Sequence, residues 1–361
     1  MKQIKVGLIG CGGMAATYRE IYSKIEGVKL DFIVGLESDH PEMLAKELGC
    51  SRWSTDFMDC INSDVDVIDI STPNHLHCKQ FVEAIKRGKH ILLQKPIAAS
   101  EKYAIEILNA SKATDKKVGM FMMRHSATVY NEMRKMVQNG VIGKVSSVHA
   151  RTANMNKGPK QDPAKNWRSS LELTGGGSLM QLGVHNYDLL QWILGEKIIK
   201  LSAFCNNLMT PHIGGDDTAQ TIVAFESGIA GCVESSYCAE GNRVEIFGSE
   251  GYLLFNDERI LSVKSKNKYE GDYVKYAGDN TVVQYELPYT SRELFKVENP
   301  YEQHIAFINA VKNDTLVPVT IDEGFDAFVI VKAAYEASKT GKVINIEEFK
   351  NLILERERNT L

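Results

Sequence analysis

The chain has 361 residues, 43% of them hydrophobic, which is enough for two domains that each bury a core. Its net charge of -4 offers no basic field for nucleic acid or an anionic membrane surface, so a small molecule is the expected partner. Seven cysteines at scattered positions (Cys11, Cys50, Cys60, Cys78, Cys205, Cys232 and Cys238) form no C-x-x-C pair and no zinc-like spacing, so no metal site is expected and they read as reduced thiols. The amino terminus runs into an apolar strand instead of a signal-peptide core, and no run is long enough to span a bilayer, so cytoplasmic residence is the expectation.

Residues 4 to 9 form an apolar run, followed by glycines and a helical stretch from Met14 to Ile25. Apolar runs recur at Leu30 to Leu36, Val65 to Ile70, His90 to Leu93 and Val118 to Met122, separated by helical stretches at Pro41 to Leu48, Lys79 to Arg87 and Glu101 to Thr114. Continuous apolar runs suit parallel strands buried on both faces, and their alternation with helices predicts a doubly wound Rossmann domain over 1–122. Beyond a helix at Val129 to Asn139 the rhythm changes. Strand-like segments crowd together at Val145 to Thr152, Ile198 to Phe204, Thr218 to Phe225, Ile229 to Ser236, Arg243 to Gly248 and Gly251 to Phe255, joined by short polar turns. They predict an α+β domain over 123–361 with a large, mostly antiparallel sheet, closed by helices at Pro300 to Lys312 and Glu323 to Thr340. Glu355 to Arg358 reads as a solvated helix end.

Gly10-Cys11-Gly12-Gly13-Met14-Ala15 fits G-x-G-x-x-A between a strand and a helix, the context in which that pattern binds a dinucleotide. Gly10 makes the tight turn, Gly12 lets the backbone approach a pyrophosphate, and Ala15 allows close packing of helix on strand. The phosphates then meet a helix amino terminus. Glu37 follows the second strand, where a carboxylate accepts hydrogen bonds from the adenosine ribose and repels a 2′-phosphate, which favours NAD over NADP.

Lys95, in Gln94-Lys95-Pro96, lies at the carboxyl edge of the first sheet, where open α/β folds bind ligands. A second polar cluster comes from Gly175-Gly176-Gly177-Ser178-Leu179-Met180-Gln181-Leu182-Gly183-Val184-His185, in which Gln181 and His185 stand one helical turn apart on one face.

In order and spacing these segments resemble the Gfo/Idh/MocA family, which includes glucose-fructose oxidoreductase and inositol dehydrogenase. The resemblance runs through the Gly10 fingerprint, Thr72-Pro73-Asn74-His75-Leu76-His77, Gln94-Lys95-Pro96, Val118 to Arg124, and Gly140-x-x-Gly143-Lys144. It continues through Asn166-Trp167-Arg168, the triple-glycine helix, Glu245 to Gly251, and Glu323 to Gly341. It implies NAD or NADP on a Rossmann domain, a carboxy-terminal sheet that builds a homo-oligomer (dimer or tetramer), and a substrate held between the domains. It also implies a catalytic lysine, aspartate and histidine. Lys95 and His185 match two of these, while Gln181 replaces the aspartate and Gln94 the glutamate before the lysine. Thr72, Pro73, Asn74 and His77 then shape the cofactor turn, and Trp167 and Arg168 match a cofactor-facing pair.

Alcohol oxidation needs a base for the hydroxyl proton while the carbon gives up hydride. The amide at 181 removes a negative charge that would hold Lys95 and His185 in their charged forms. His185 is expected as the main base, with Lys95 holding the reacting hydroxyl and Gln181 positioning substrate; the reverse assignment of Lys95 and His185 stays open. Asp188 stands either to orient the His185 ring or to make a structural hydrogen bond; Arg124 and His125 are candidates to touch substrate. The expected activity is oxidation of a ring hydroxyl of a sugar, a glycoside (glucoside C3 included) or an inositol-like polyol. Two alternatives stay open: redox-neutral cleavage of a glycoside through transient oxidation, and a non-catalytic NAD sensor.

Overall fold

In the computed structural model the apolar runs of the amino-terminal half pair in parallel. The structure describes residues 3–13, 15, 19–155, 166–256, 260–287 and 302–358. Strands β1 (Ile4–Ile9), β2 (Val28–Val34), β3 (Arg52–Ser54), β4 (Val67–Ile70), β5 (His90–Gln94) and β6 (Val118–Phe121) form one sheet in the order β3-β2-β1-β4-β5-β6. That is the doubly wound order, with the reversal between β1 and β4 placing the Gly10 turn at the carboxyl edge. All four residues of β4 are buried, and so are the last four of β1, as strands covered on both faces require.

The chain divides into two units, Met1–Met123 with Asn299–Phe325, and Arg124–Glu298 with Asp326–Leu361. The expected unbroken domain over 123–361 is therefore interrupted. Phe307 and Ile308, on the helix Glu302–Asn313, join the core of the first sheet beside Leu8, Ile33 and Leu92, and Val319 O accepts from Met120 N along the outermost strand β6. An apolar helix face and an edge strand that needs covering bring this segment back.

The second unit holds β7 (Val145–Ala153), β8 (Ile198–Asn206), β9 (Thr218–Phe225), β10 (Ala230–Ser236), β11 (Gly241–Gly248), β12 (Gly251–Asn256) and β13 (Ile260–Ser265). With the shorter strands Val283–Glu286 at one edge and Ile344–Asn345 at the other, they make a nine-stranded sheet. The only parallel pair in it among the described residues is β7 with β10. Burial alternates along β13, whose period-2 pattern Ile-Leu-Ser-Val-Lys-Ser marks a strand that the spacing of turns alone does not reveal. One face is covered by the helical segment Leu179–Leu194, the other carries exposed Phe204 and Ile222. The charged tail lies in a helix, Ile346–Arg358.

Candidate active site

In the first unit the cofactor edge is built by turns. Gly10 has φ +108°, and a Cβ there would stand 2.7 Å from the carbonyl carbon of Ser71, so only glycine lets β1 turn against the end of β4. Cβ atoms at Gly12 and Gly13 would meet nothing within 4 Å, which leaves the backbone open to a phosphate. Ala15 is fully buried. Met14, expected at the cofactor, lies outside the described residues, as does most of the Met14-to-Ile25 stretch before the turn Arg19–Ser23. The Cys11 thiol donates to Val34 O at 3.3 Å, and burial pushes it up to about 12, so it is an inert packing group. Glu37 opens the short turn Glu37–Asp39, three residues beyond β2, and is exposed.

Thr72 and Pro73 follow β4, and buried Asn74 opens the turn Asn74–Leu76. The Thr72 hydroxyl donates to Gln80 Oε1 at 2.6 Å. His77 is fully buried: its Nε2 lies 2.9 Å from Thr72 O and its Nδ1 3.0 Å from Pro96 O. Burial brings the imidazole down to about 4 against the upward pull of these carbonyls; the neutral ring has one N–H, so it donates to one of the two and packs between the Thr72 turn and the Lys95-Pro96 element. At the end of β5, Gln94 Oε1 accepts from the Lys95 N–H at 3.0 Å, while its Nε2 is buried with no partner among the described residues. A buried amide donor left open is the feature of a side chain awaiting an acceptor on a ligand. With the open glycine backbone, it makes this edge fit a dinucleotide. Lys95, half-buried, follows directly.

In the second unit the expected helix carrying Gln181 and His185 does not begin as a regular α-helix. Leu179–Gly183 is a π-turn, closed by Val184 N donating to Leu179 O, and the α-helix proper runs over Val184–Leu194. Such bulges recur at functional sites, and the wider turn keeps residues four apart on one face. Gln181 and His185 are both 7% exposed, and Gln181 N donates to Gly177 O at 3.0 Å.

The neighbouring polar residues are structural anchors for this helix. Arg124 donates to Asn186 Oδ1 and to Thr152 Oγ1, joining the helix to β7. Asp188 Oδ2 lies 2.9 Å from His125 Nε2, and the His125 ring stacks on Trp192 at 4.4 Å between centroids, with Arg134 4.5 Å from the Trp192 ring centroid. Asp188 thus meets His125 in place of the orienting contact to His185 that its spacing allowed. The Arg168 guanidinium lies 4.6 Å from the Trp167 ring centroid, and burial lowers its pKa. His149 stands on the outer sheet face 3.2 Å from Glu245. Among the described residues no group of three His, Cys, Asp or Glu could hold a metal.

Two carboxylates escaped the sequence reading. The loop from Asn206 to Asp217 is pinned: Asp217 accepts from the N–H groups of Leu208, Met209 and Thr210, and Asn207 Nδ2 donates to Thr210 O, Ile213 O and Gly215 O. Asp216 faces the other way, into Gly177, Ser178 and Leu179. The signal was Gly214-Gly215-Asp216-Asp217 directly before a strand.

A Rossmann unit with a dinucleotide-fitting edge and a mixed-sheet unit with a buried polar helix define the class of two-domain nicotinamide oxidoreductases. Residues 4–122 match the Gfo/Idh/MocA model described as an oxidoreductase family with NAD-binding Rossmann fold, and residues 130–254 match the carboxy-terminal domain model of the same family. The chain belongs to the Gfo/Idh/MocA family, and it is an NAD-binding oxidoreductase. It is 27% identical over 285 residues to scyllo-inositol 2-dehydrogenase (NAD(+)) of Bacillus subtilis (strain 168), spanning 73% of this chain and 79% of that one. It is 23% identical over 352 residues to myo-inositol 2-dehydrogenase of Thermotoga maritima, covering 96% and 99%. Its fold matches that of levoglucosan dehydrogenase in complex with NADH at a TM-score of 0.81 and 23% identity, covering 95% and 99%. No described helix is long and apolar enough to cross a membrane, and all seven cysteines are free.

Proposed function

We propose that the protein oxidises a ring hydroxyl of a sugar, glycoside or inositol-like polyol. The observation that carries this reading is that Gln181 and His185 are both buried one helical turn apart on one helical segment, held at its start by Asp216 and further along at Asn186 and Asp188. NAD, when bound, supplies the acceptor for the hydride leaving the substrate carbon. Gly10, Gly12, Gly13, Thr72, Pro73, Asn74, His77 and Gln94 hold it, Glu37 reads its ribose, and Trp167 and Arg168 contribute from the second unit. An imidazole nitrogen of His185 takes the hydroxyl proton, Lys95 holds the reacting oxygen, and the Gln181 amide orients a neighbouring hydroxyl through paired donor and acceptor. Self-association through the outer face of the nine-stranded sheet is part of the same reading, supported by exposed Phe204 and Ile222 on its strands; light scattering that finds a monomer at micromolar concentration removes it.

Purified protein is incubated with NAD and a panel of inositols, free sugars and O- or C-linked glucosides, with NADH followed by absorbance and products by mass. NADH together with a product two hydrogens lighter than one of these polyols is the expected result. Release of an aglycone without net NADH replaces this reading with redox-neutral cleavage. Silence across the panel despite demonstrated NAD binding replaces it with a sensor.

A further inference from the structure

The helix that carries Gln181 and His185 begins against a single side chain. The Asp216 carboxylate accepts from Gly177 N at 3.0 Å and Tyr335 OH at 2.6 Å through Oδ1, and from Ser178 Oγ at 2.7 Å and Leu179 N at 2.8 Å through Oδ2. Its own carbonyl accepts from Ser178 N at 2.7 Å. Three successive N–H groups that the first turn of a helix leaves without intrahelical partners are therefore taken by one residue. The approach is so close that a Cβ on Gly177 would stand 1.8 Å from Asp216 O, and one on Gly215 2.4 Å from Gly177 N. Tyr335 lies half-buried on the helix Ile321–Thr340, and its hydroxyl also accepts from Gly177 N at 3.2 Å. From Gly177 the link passes to Gln181, whose N–H donates to Gly177 O.

We propose that Asp216, backed by Tyr335, is a positioning residue that sets where Gln181 and His185 stand. The segment is contacted through three N–H groups at its start and by Arg124 and His125 at Asn186 and Asp188 beyond, so Gln181 and His185 lie in the interval between the two sets of contacts. The π-turn lies in that interval, where a wider helical turn is the least stable conformation and needs outside support. The carboxylate has four donors to satisfy, and a carboxamide has one oxygen. Asp216→Asn therefore leaves donors at the start of the helix without acceptors, and Tyr335→Phe removes one donor and one acceptor while keeping the ring.

The catalytic consequence rests on the reading of His185 as an acid/base group, whereas the positional consequence does not. In protein labelled in its histidine rings, the His185 resonance is assigned as the one lost in His185→Gln. Asp216→Asn and Tyr335→Phe are expected to move or broaden it and to leave the His77 and His304 resonances of the first unit in place. With the substrate found in the polyol panel, Tyr335→Phe is expected to lower kcat/KM by roughly tenfold and Asp216→Asn by up to about 10²-fold, with NAD affinity held within about twofold. Should Asp216→Asn fail to fold, Tyr335→Phe alone decides. A folded Tyr335→Phe protein with an unmoved His185 resonance overturns the proposal. A moved resonance in a protein whose His185→Gln variant keeps full activity retains the positioning role and removes the catalytic reading.

Discussion

The two units reach their polar sites by opposite routes. In the first, Gly10, Thr72 and Lys95 sit in turns that follow β1, β4 and β5, each within a few residues of the strand that places it. In the second, Gln181 and His185 stand between contacts from far along the chain: Asp216 and Tyr335 at the start of the helical segment, Arg124 and His125 at Asn186 and Asp188 further along it. A site made of local turns tolerates change wherever its backbone faces open space, whereas one clamped by distant contacts is vulnerable at every clamp.

The largest expected effect separates chemistry from binding. His185→Ala lowers kcat by roughly 10²–10⁴-fold, and Lys95→Ala by a comparable factor, while NAD affinity measured by fluorescence titration stays intact in the His185 variant. Full-speed turnover of His185→Ala would leave the second unit without its assigned base and dissolve the contrast between the two sites.

Two glycines sharpen the comparison on stability. Gly177→Ala drives a methyl into the Asp216 backbone and is expected to cost at least about 3 kcal/mol in denaturant unfolding. Gly12→Ala points its methyl into open space and should change stability by no more than about 0.5 kcal/mol, yet weaken NAD binding at least about tenfold, because the methyl occupies the path of the phosphates. Equal stability losses at the two positions would contradict the distinction.

Acid should weaken the first unit before the second. His77 and His304 are fully buried there, held down by desolvation to about 4 and about 3. Both rings stay neutral in the native state as the unfolded chain takes up protons below its ordinary value of 6.5. The unfolded state then binds more protons, so stability falls with falling pH below about 6.5, by on the order of 1 kcal/mol per pH unit for each histidine. Hydrogen exchange across that range should show the parallel sheet opening first. Loss confined to the antiparallel sheet would reverse the assignment.

The same contrast explains what was legible in the sequence. The doubly wound sheet, the Gly10 turn and most strands of the second sheet follow from patterns of fewer than ten residues, and those patterns carry their own physics: buried runs, alternation, glycine where a Cβ cannot fit. The π-turn at Leu179–Gly183, the clamp at Asp216 and the pairing of Asp188 with His125 are products of contacts between residues tens of positions apart, and helical spacing alone left Asp188 open between orienting His185 and a structural contact. The return of Phe307 and Ile308 to the first core was hidden for the same reason, since an amphipathic helix shows that a face is covered and not by what.

Cofactor choice gives the smallest expected effect and the most local one. Glu37 is exposed just beyond β2, and its charge opposes a 2′-phosphate there through solvent, so Glu37→Ser should raise affinity for NADP by only about three- to tenfold, with a similar loss for NAD as the ribose loses its acceptor. The two halves of that change have different origins and separate with salt. Repulsion between exposed charges fades as the Debye length shortens to about 3 Å near 1 M, so the gain for NADP should shrink toward nothing, whereas the loss for NAD, a missing hydrogen bond, should persist. If both halves vanish together in salt, Glu37 acts only as a diffuse surface charge, and the first unit chooses its cofactor through other side chains of the same edge.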